Sequence, residues 1–198
     1  MKNIIFDIGS VLIGYRWREM CLEEGWEEEK ADKIGRGFFL NPLWNDFDAG
    51  LIGTEDLLAD ITGKYPELEA DARWFIHSGK KMIVERPKVW DLAKKLKEKG
   101  YRLYLLSNYS EELFRLHTEG LPFLELVDGG VISYEINQIK PNPPIYEYLM
   151  EKYQLKAEDC LFFDDKPENT EAARKLGMMA VTVEDGSEEF LLGELRKL

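Results

Sequence analysis

Three apolar runs in this chain end abruptly in residues that can do chemistry. Ile4-Ile5-Phe6 ends in Asp7 and turns through Gly9 and Ser10, Tyr101 to Leu106 ends in Ser107-Asn108, and Leu161-Phe162-Phe163 ends in Asp164-Asp165. An apolar run of this length reads as a buried strand. A carboxylate at the C-terminal end of such a strand can serve as nucleophile, as metal ligand, or as both. Each run alone also has a plainer reading, since a lone Asp caps helices and an Asp pair suits a turn. The chemical reading requires that one edge of one sheet collect all three.

The elements between these runs supply that edge. From Arg86-Pro87 onward, helix and strand patterns alternate. Val89, Leu92, Ala93 and Leu96 share a helix face that Gly100 ends; Ser110 opens the next helix, ahead of Glu111 and Glu112. Val131-Ile132 is a short strand, and Asn142-Pro143 opens a helix predicted to turn Ile145, Tyr148, Leu149 and Tyr153 inward. After Asp165 a helix presents Ala172, Ala173 and Leu176; Ala180 to Val183 is a last strand, and Ser187 caps a final helix. The pattern predicts an α/β fold with a parallel sheet, covered on both faces and joined by right-handed crossovers. All C-terminal strand ends then lie on one edge, where such sheets place their ligands.

Residues 15 to about 85 have another character, rich in Trp, Phe, Glu and Lys, with no strong strand run. Thr54 reads as an N-cap ahead of Leu57, Leu58 and Ile61, and the stretch predicts four or five short helices. Trp17, Trp44 and Phe47 read as its core, and His77 and His117 as structural or surface residues.

At 198 residues the chain fits one ordinary domain, or a core with a modest insertion. The formal net charge of −12 argues against a nucleic-acid or membrane-surface binder. It also means that a phosphorylated ligand must meet a local positive centre, from a metal or a placed lysine. No stretch approaches the ~20 apolar residues of a membrane span, and Met1-Lys2-Asn3 runs straight into a strand without signal-peptide features. Cys21 and Cys160 have no metal-ligand spacing and read as reduced thiols of a cytoplasmic protein, expected as a monomer or weak dimer.

Four motifs in order resemble the haloacid dehalogenase-like (HAD) hydrolase superfamily: Phe6-Asp7-Ile8-Gly9-Ser10-Val11-Leu12, Leu105-Leu106-Ser107-Asn108, Lys140-Pro141, and Phe162-Phe163-Asp164-Asp165-Lys166-Pro167-Glu168-Asn169. The resemblance spans nearly the whole chain. Within the family it is similar to the branch of glucose-1-phosphate phosphatases, which carry Asp-x-Gly-Asn-Val where this chain has Ser10 in place of Asn. It implies a Rossmann-like three-layer α/β/α sandwich at 1–14 and 86–198, with a helical C1 cap at 15–85. It further implies a Mg²⁺-dependent phosphatase that forms an aspartyl phosphate on a small phosphorylated metabolite, with a sugar phosphate expected. In that scheme Asp7 is the nucleophile, and Asp7, the Gly9 carbonyl and Asp165 hold Mg²⁺, with Asp164 on a metal-bound water. Lys140, the Ser107 hydroxyl and the Asn108 main-chain N–H bind the phosphoryl group, and Asn169 orients the shell. Ser107 as a mere helix cap and Asn169 as a plain turn residue are the alternatives.

Gly9 is the departure that matters. Many relatives carry a second Asp there, which protonates the leaving group and later activates water. Such general acid–base help is worth ~10²–10⁴ in rate. Its loss disfavours a phosphomutase and predicts slow breakdown of the aspartyl phosphate. Two other readings stay open: a catalytically impaired phosphometabolite-binding or regulatory protein, and a metal-independent 2-haloacid dehalogenase. The Asp164-Asp165 pair beside Asp7 argues against the dehalogenase, because those carboxylates call for a cation.

Overall fold

A computed structural model of the chain describes residues 2–198. The described residues form β1 (Asn3–Phe6), β2 (Ile13–Tyr15), β3 (Ile83–Glu85), β4 (Arg102–Ser107), β5 (Gly129–Ile132), β6 (Cys160–Asp164) and β7 (Met179–Thr182). Five of them make one sheet in the order β5-β4-β1-β6-β7, every pair parallel. The helices are α1 (Trp17–Glu23), α2 (Glu28–Phe39), α3 (Trp44–Asp48), α4 (Thr54–Lys64), α5 (Glu69–His77), α6 (Pro87–Glu98), α7 (Glu111–Thr118), α8 (Phe123–Leu126), α9 (Ser133–Ile136), α10 (Pro143–Lys152), α11 (Pro167–Lys175) and α12 (Glu188–Leu195).

Strand periodicity creates the three layers. Successive strand residues point to opposite faces. Ile4, Phe6, Leu103, Leu105, Leu161 and Phe163 therefore face one side, within the same core as Val89 and Ala93 of α6 and Leu191 and Leu195 of α12. Ile5, Tyr104, Leu106 and Phe162 face the other, where Ile145, Tyr146 and Leu149 of α10 and Ala173 of α11 cover them. This is the expected Rossmann-like α/β/α sandwich. On α10, however, Tyr146 rather than Tyr148 turns inward: Tyr146 is fully buried and Tyr148 is 42% exposed. Tyr146 Oη donates to the Asn169 carbonyl at 3.0 Å, which satisfies its buried hydroxyl.

Between β1 and α6 the chain leaves the sheet. The short antiparallel ribbon of β2 and β3 pairs Ile13 with Glu85 and Tyr15 with Ile83. It brings together the two ends of the segment that carries α1 to α5. These strands were not legible in sequence, because three residues of ribbon make no periodic run. α4 begins at Thr54 with Gly53 in the capping position, since Asp56 Oδ2 accepts the Gly53 N–H at 2.9 Å. A division into core and cap at this ribbon is our proposal.

Arg86, just after β3, fastens the junction. Its guanidinium donates to the carbonyls of Ser10 at 2.7 Å, Val11 at 3.1 Å and Gly186 at 2.6 Å, in an arginine only 8% exposed. Ser10 has φ of 58°, a left-handed conformation that asparagine adopts more readily than serine. Arg86→Met leaves three carbonyls without their donor, two of them in buried bonds, and is expected to lower stability by roughly 2–4 kcal/mol in urea unfolding.

Candidate active site

The parallel sheet brings the three sequence clusters to one edge. Phe6 of β1 lies opposite Leu105 of β4 and Phe163 of β6. Asp7, Ser107 and Asp164 thus emerge side by side, at the point where the strand order reverses around β1. Asp7 is held asymmetrically. Its Oδ1 accepts from the Ile8 N–H at 2.8 Å, Ser107 Oγ at 2.6 Å and Lys140 Nζ at 2.9 Å. Its Oδ2 makes no hydrogen bond among the described residues. One oxygen is anchored and the other is free to act.

Lys140 lies on the loop before α10, and its main chain is clamped by the Asn108 side chain. Asn108 Oδ1 accepts the Lys140 N–H at 2.8 Å, and Asn108 Nδ2 donates to the Lys140 carbonyl at 3.0 Å. The ammonium reaches Asp164 Oδ2 at 2.6 Å as well as Asp7. Asp164, fully buried, also accepts Asn169 Nδ2 at 2.9 and 3.1 Å and the Lys166 N–H at 2.8 Å. Asn169 therefore acts on the shell through Asp164, and Asp164 acts as the anchor of Lys140. Helix capping in the next segment falls to Ser110, whose Oγ accepts the Leu113 N–H, so Ser107 is free of that task.

The electrostatics follow from burial. Burial raises the Asp7 pKa, against the pull of Lys140, and the Asp164 charge raises it further. Burial also opposes the charge on Lys140, but Asp164 and Asp7 outweigh it and hold the ammonium above the ordinary lysine range. Asp165 is pushed up to about 6, first by burial and then by Asp7 and Asp164.

Asp7, Asp164 and Asp165 each offer a carboxylate oxygen within 4.8 Å of the others. Both oxygens of Asp164 are already engaged, whereas Asp165 makes no hydrogen bond or ion pair among the described residues. Three crowded carboxylates share one buried ammonium. A hard divalent cation with oxygen ligands suits that surplus of negative charge.

At Gly9 a side chain has little room. A Cβ built there would sit 2.9 Å from Tyr15 Oη and 3.1 Å from the Tyr15 ring. The Tyr15 phenol from β2 lies against Gly9, in the space that a side chain there would enter. Tyr15 Oη is hydrogen-bonded to Tyr109 Oη, and Tyr109 Oη to His117 Nδ1 at 3.2 Å.

The same cavity receives a carboxylate that sequence reasoning missed. Asp48, the last residue of α3, lines it together with Asp7, Lys140 and Asp165. Its segment is tied to the core: Ser133 Oγ donates to the Asp48 carbonyl, and Asn137 Nδ2 to the Ala49 carbonyl at 2.9 Å. Burial pushes Asp48 up to about 7, against Lys166, the Ser110 main-chain N–H and Lys140. A signal was present, because Asp48 falls four residues after Trp44 and one after Phe47, on the apolar face of a short helix. Trp17 and Trp44 are half-buried and line this cavity, so they are not pure core as expected; Phe47 is.

The family model for haloacid dehalogenase-like hydrolases matches residues 1–177. The chain belongs to the haloacid dehalogenase-like hydrolases. It is 22% identical over 199 residues to D-ribitol-5-phosphate phosphatase of Bacteroides thetaiotaomicron, covering 95% of this chain and 94% of that protein. It is 26% identical to the sesquiterpene phosphatase astK of Aspergillus oryzae, covering 100% and 96%. Among solved structures, the HAD family enzyme BT-2542 of Bacteroides thetaiotaomicron, in complex with magnesium and inorganic phosphate, superposes with a TM-score of 0.75 at 25% identity. That match covers 95% of this chain and 96% of the other.

The buried triad gives a stability test. Lys140→Met leaves Asp7 and Asp164 facing each other without a cation. In EDTA it is expected to cost roughly 3–5 kcal/mol of unfolding free energy. Lys140→Met with Asp164→Asn is expected to recover part of that loss, read as a coupling energy in a double-mutant cycle.

Proposed function

We propose that this protein is a Mg²⁺-dependent phosphatase that hydrolyses a small organic phosphate monoester through an aspartyl phosphate on Asp7. The observation that carries the reading is the asymmetry of Asp7, with Oδ1 fixed by three donors and Oδ2 free beside the only buried ammonium among the described residues. Both full-length relatives are phosphatases by name, and the magnesium and phosphate held by the solved neighbour support the same chemistry. Asp7, Asp165 and the Gly9 carbonyl would hold the metal. When bound, it supplies positive charge that offsets the repulsion between carboxylate and phosphate.

The residues then divide the work. Lys140 neutralises the phosphoryl oxygens while Asp164 and Asn169 keep it pointed at them. The Asn108 main-chain N–H offers a donor that strengthens as charge spreads in the transition state, and the Ser107 hydroxyl, which donates to Asp7 Oδ1 in the free protein, adds a second on turning to the phosphoryl group. Asp7 Oδ2 attacks phosphorus, the P–O bond to the alcohol breaks, and the leaving oxygen needs a proton. Gly9 has none to give. Asp48 does: it lines the same cavity, faces Lys166, Lys140 and Asp7, and is raised to about 7. Protonated Asp48 donates to the leaving alcohol. The resulting carboxylate then takes a proton from the water that cleaves the aspartyl phosphate, which frees inorganic phosphate and restores Asp7. A helical cap closing on the site would keep water from the first step. Two buried free thiols, Cys21 and Cys160, support a reducing, cytoplasmic setting. Among the described residues no helix is long and apolar enough to cross a membrane.

Asp7→Asn is expected to abolish Mg²⁺-dependent phosphate release, a loss of at least ~10³-fold, and EDTA to abolish it in the wild type. Release that survives Asp7→Asn overturns the covalent mechanism. Absence of release from every ester, with tight Mg²⁺-dependent binding, favours the regulatory alternative.

Asp48 has its own test. Alkyl phosphates need a protonated leaving group, so their kcat/KM is expected to fall as pH rises through about 7, and Asp48→Asn to remove that limb with a loss of ~10²–10⁴. With p-nitrophenyl phosphate the first step needs no acid, and Asp48→Asn is expected to give a burst equal to the enzyme concentration in rapid mixing. An unchanged profile without a burst removes Asp48 from the mechanism.

A further inference from the structure

The phosphate end of the cavity is polar, whereas the opposite side is mostly aromatic and aliphatic. The cavity has a volume of about 400 Å³. From the segment between β2 and β3, its walls receive Trp17, Phe39, Trp44, Phe75, Ile76 and Met82. Phe75, Ile76 and Met82 are buried and form the floor. Phe39 is 38% exposed, and Trp17 and Trp44 are half-buried, so three aromatic rings present surface to the cavity. They are mutually braced: Phe39 lies 5.6 Å from Trp17, 5.3 Å from Trp44 and 6.0 Å from Phe75, between ring centroids. Such a wall is preformed, because each ring is held by the edge or tilted face of another.

The polar side chains bordering this wall are few, namely Tyr15, Asp48, Tyr109 and His117, whose Nε2 is buried without a partner among the described residues. The Tyr15 and Tyr109 hydroxyls bond each other, and Tyr109 also bonds His117 Nδ1. Asp48 alone, among cap residues lining the cavity, has a carboxylate. A sugar or polyol phosphate would bring several hydroxyls against ring faces whose only donors are the Trp17 and Trp44 indole N–H groups. Each hydroxyl stripped of water without a partner costs about 1–3 kcal/mol. An apolar alcohol loses nothing of that kind and gains burial against the rings.

We infer that the preferred substrates are phosphate monoesters of an apolar alcohol, branched-alkenyl or aromatic, whose hydrocarbon part lies against Trp17, Phe39 and Trp44 while its phosphate meets Asp7 and Lys140. The inference rests on the phosphatase reading for turnover but not for binding, because the wall and the ammonium are there in either case. It replaces the sugar phosphate expected from the motif resemblance, which concerns the phosphate end alone. The reaction is the same hydrolysis: the P–O bond to the apolar alcohol breaks, water supplies the new oxygen on phosphorus, and the alcohol leaves with a proton.

The test compares acetyl phosphate, geranyl phosphate, phenethyl phosphate, glucose 1-phosphate and ribitol 5-phosphate, all with Mg²⁺. For the wild type, kcat/KM for geranyl and phenethyl phosphate is expected to exceed that for the two polyol esters by about 100-fold or more, since a few buried methylenes suffice for such a ratio. Phe39→Ala is expected to lower kcat/KM for geranyl phosphate at least 10-fold more than for acetyl phosphate. Binding is read separately by tryptophan fluorescence of Asp7→Asn, with competition by inorganic phosphate to show that the ester occupies the phosphate end. There geranyl phosphate is expected to bind at least 10-fold tighter than glucose 1-phosphate. Polyol esters that match or beat the apolar ones in both readouts overturn the inference, as does an equal loss for every ester in Phe39→Ala. Apolar selectivity in binding with no phosphate release from any ester upholds it and removes the phosphatase reading instead.

Discussion

One buried ammonium between two carboxylates sets the terms for the rest of the site. Lys140 sits out of water against Asp7 and Asp164, so its position is dictated by geometry rather than by solvent. A buried ion pair of this kind contributes little net stability, because desolvation consumes most of the attraction. What it provides is direction. Asn169 and the Lys166 N–H occupy the remaining acceptor sites of Asp164, so that carboxylate cannot turn away. Asn108 fixes the Lys140 main chain from the other side. The ammonium is left one way to point, toward the oxygens of whatever binds beside Asp7.

The sheet makes that arrangement possible. Asp7, Ser107 and Asp164 follow three adjacent strands whose registers align Phe6 with Leu105 and Phe163. Residues 100 and 157 positions from Asp7 then meet it without any long-range search by side chains. Tyr146 extends the same logic to the second layer, since its hydroxyl braces the carbonyl of Asn169 from α10. A rigid first layer of this kind suits chemistry that depends on fixed charges more than on moving parts.

How much of this was legible in sequence divides along the same line. Apolar runs ending in Asp7, Ser107 and Asp164 carried both the strands and the site, because period and end signal coincide in a buried parallel strand. The β2–β3 ribbon carried no such signal, and with it went Tyr15, the residue that fills the space beside Gly9. Tyr148 and Tyr146 were exchanged because both fit a helical face and only packing decides between them. Trp17 and Trp44 were read as core because a large apolar residue on a helix face looks the same whether a protein side chain or a ligand covers it. Asp48 was the legible miss, a carboxylate on the apolar side of a short helix, which ordinary cap packing has no use for.

Gly9 ties these misses together. With a second acid beside the nucleophile, a core of this fold holds both the charge and the proton chemistry, and the cap is left to choose the substrate. Here Tyr15 occupies that space and is bonded to Tyr109, so the proton has to come from elsewhere. Asp48 comes from the segment between β2 and β3, which Ser133 holds at the Asp48 carbonyl and Asn137 at the Ala49 carbonyl. In the proposed mechanism proton transfer is thereby coupled to the placement of the segment between β2 and β3, and so to the aromatic wall that this segment shares. A ligand that seats well against Trp44, at the other end of the same short helix, favours the position from which Asp48 acts. Substrate fit and acid catalysis would then not be separable quantities in this protein. The energy gained at the rings can be realised as rate only while α3 is held in place, which is how binding remote from the reacting atoms accelerates a reaction.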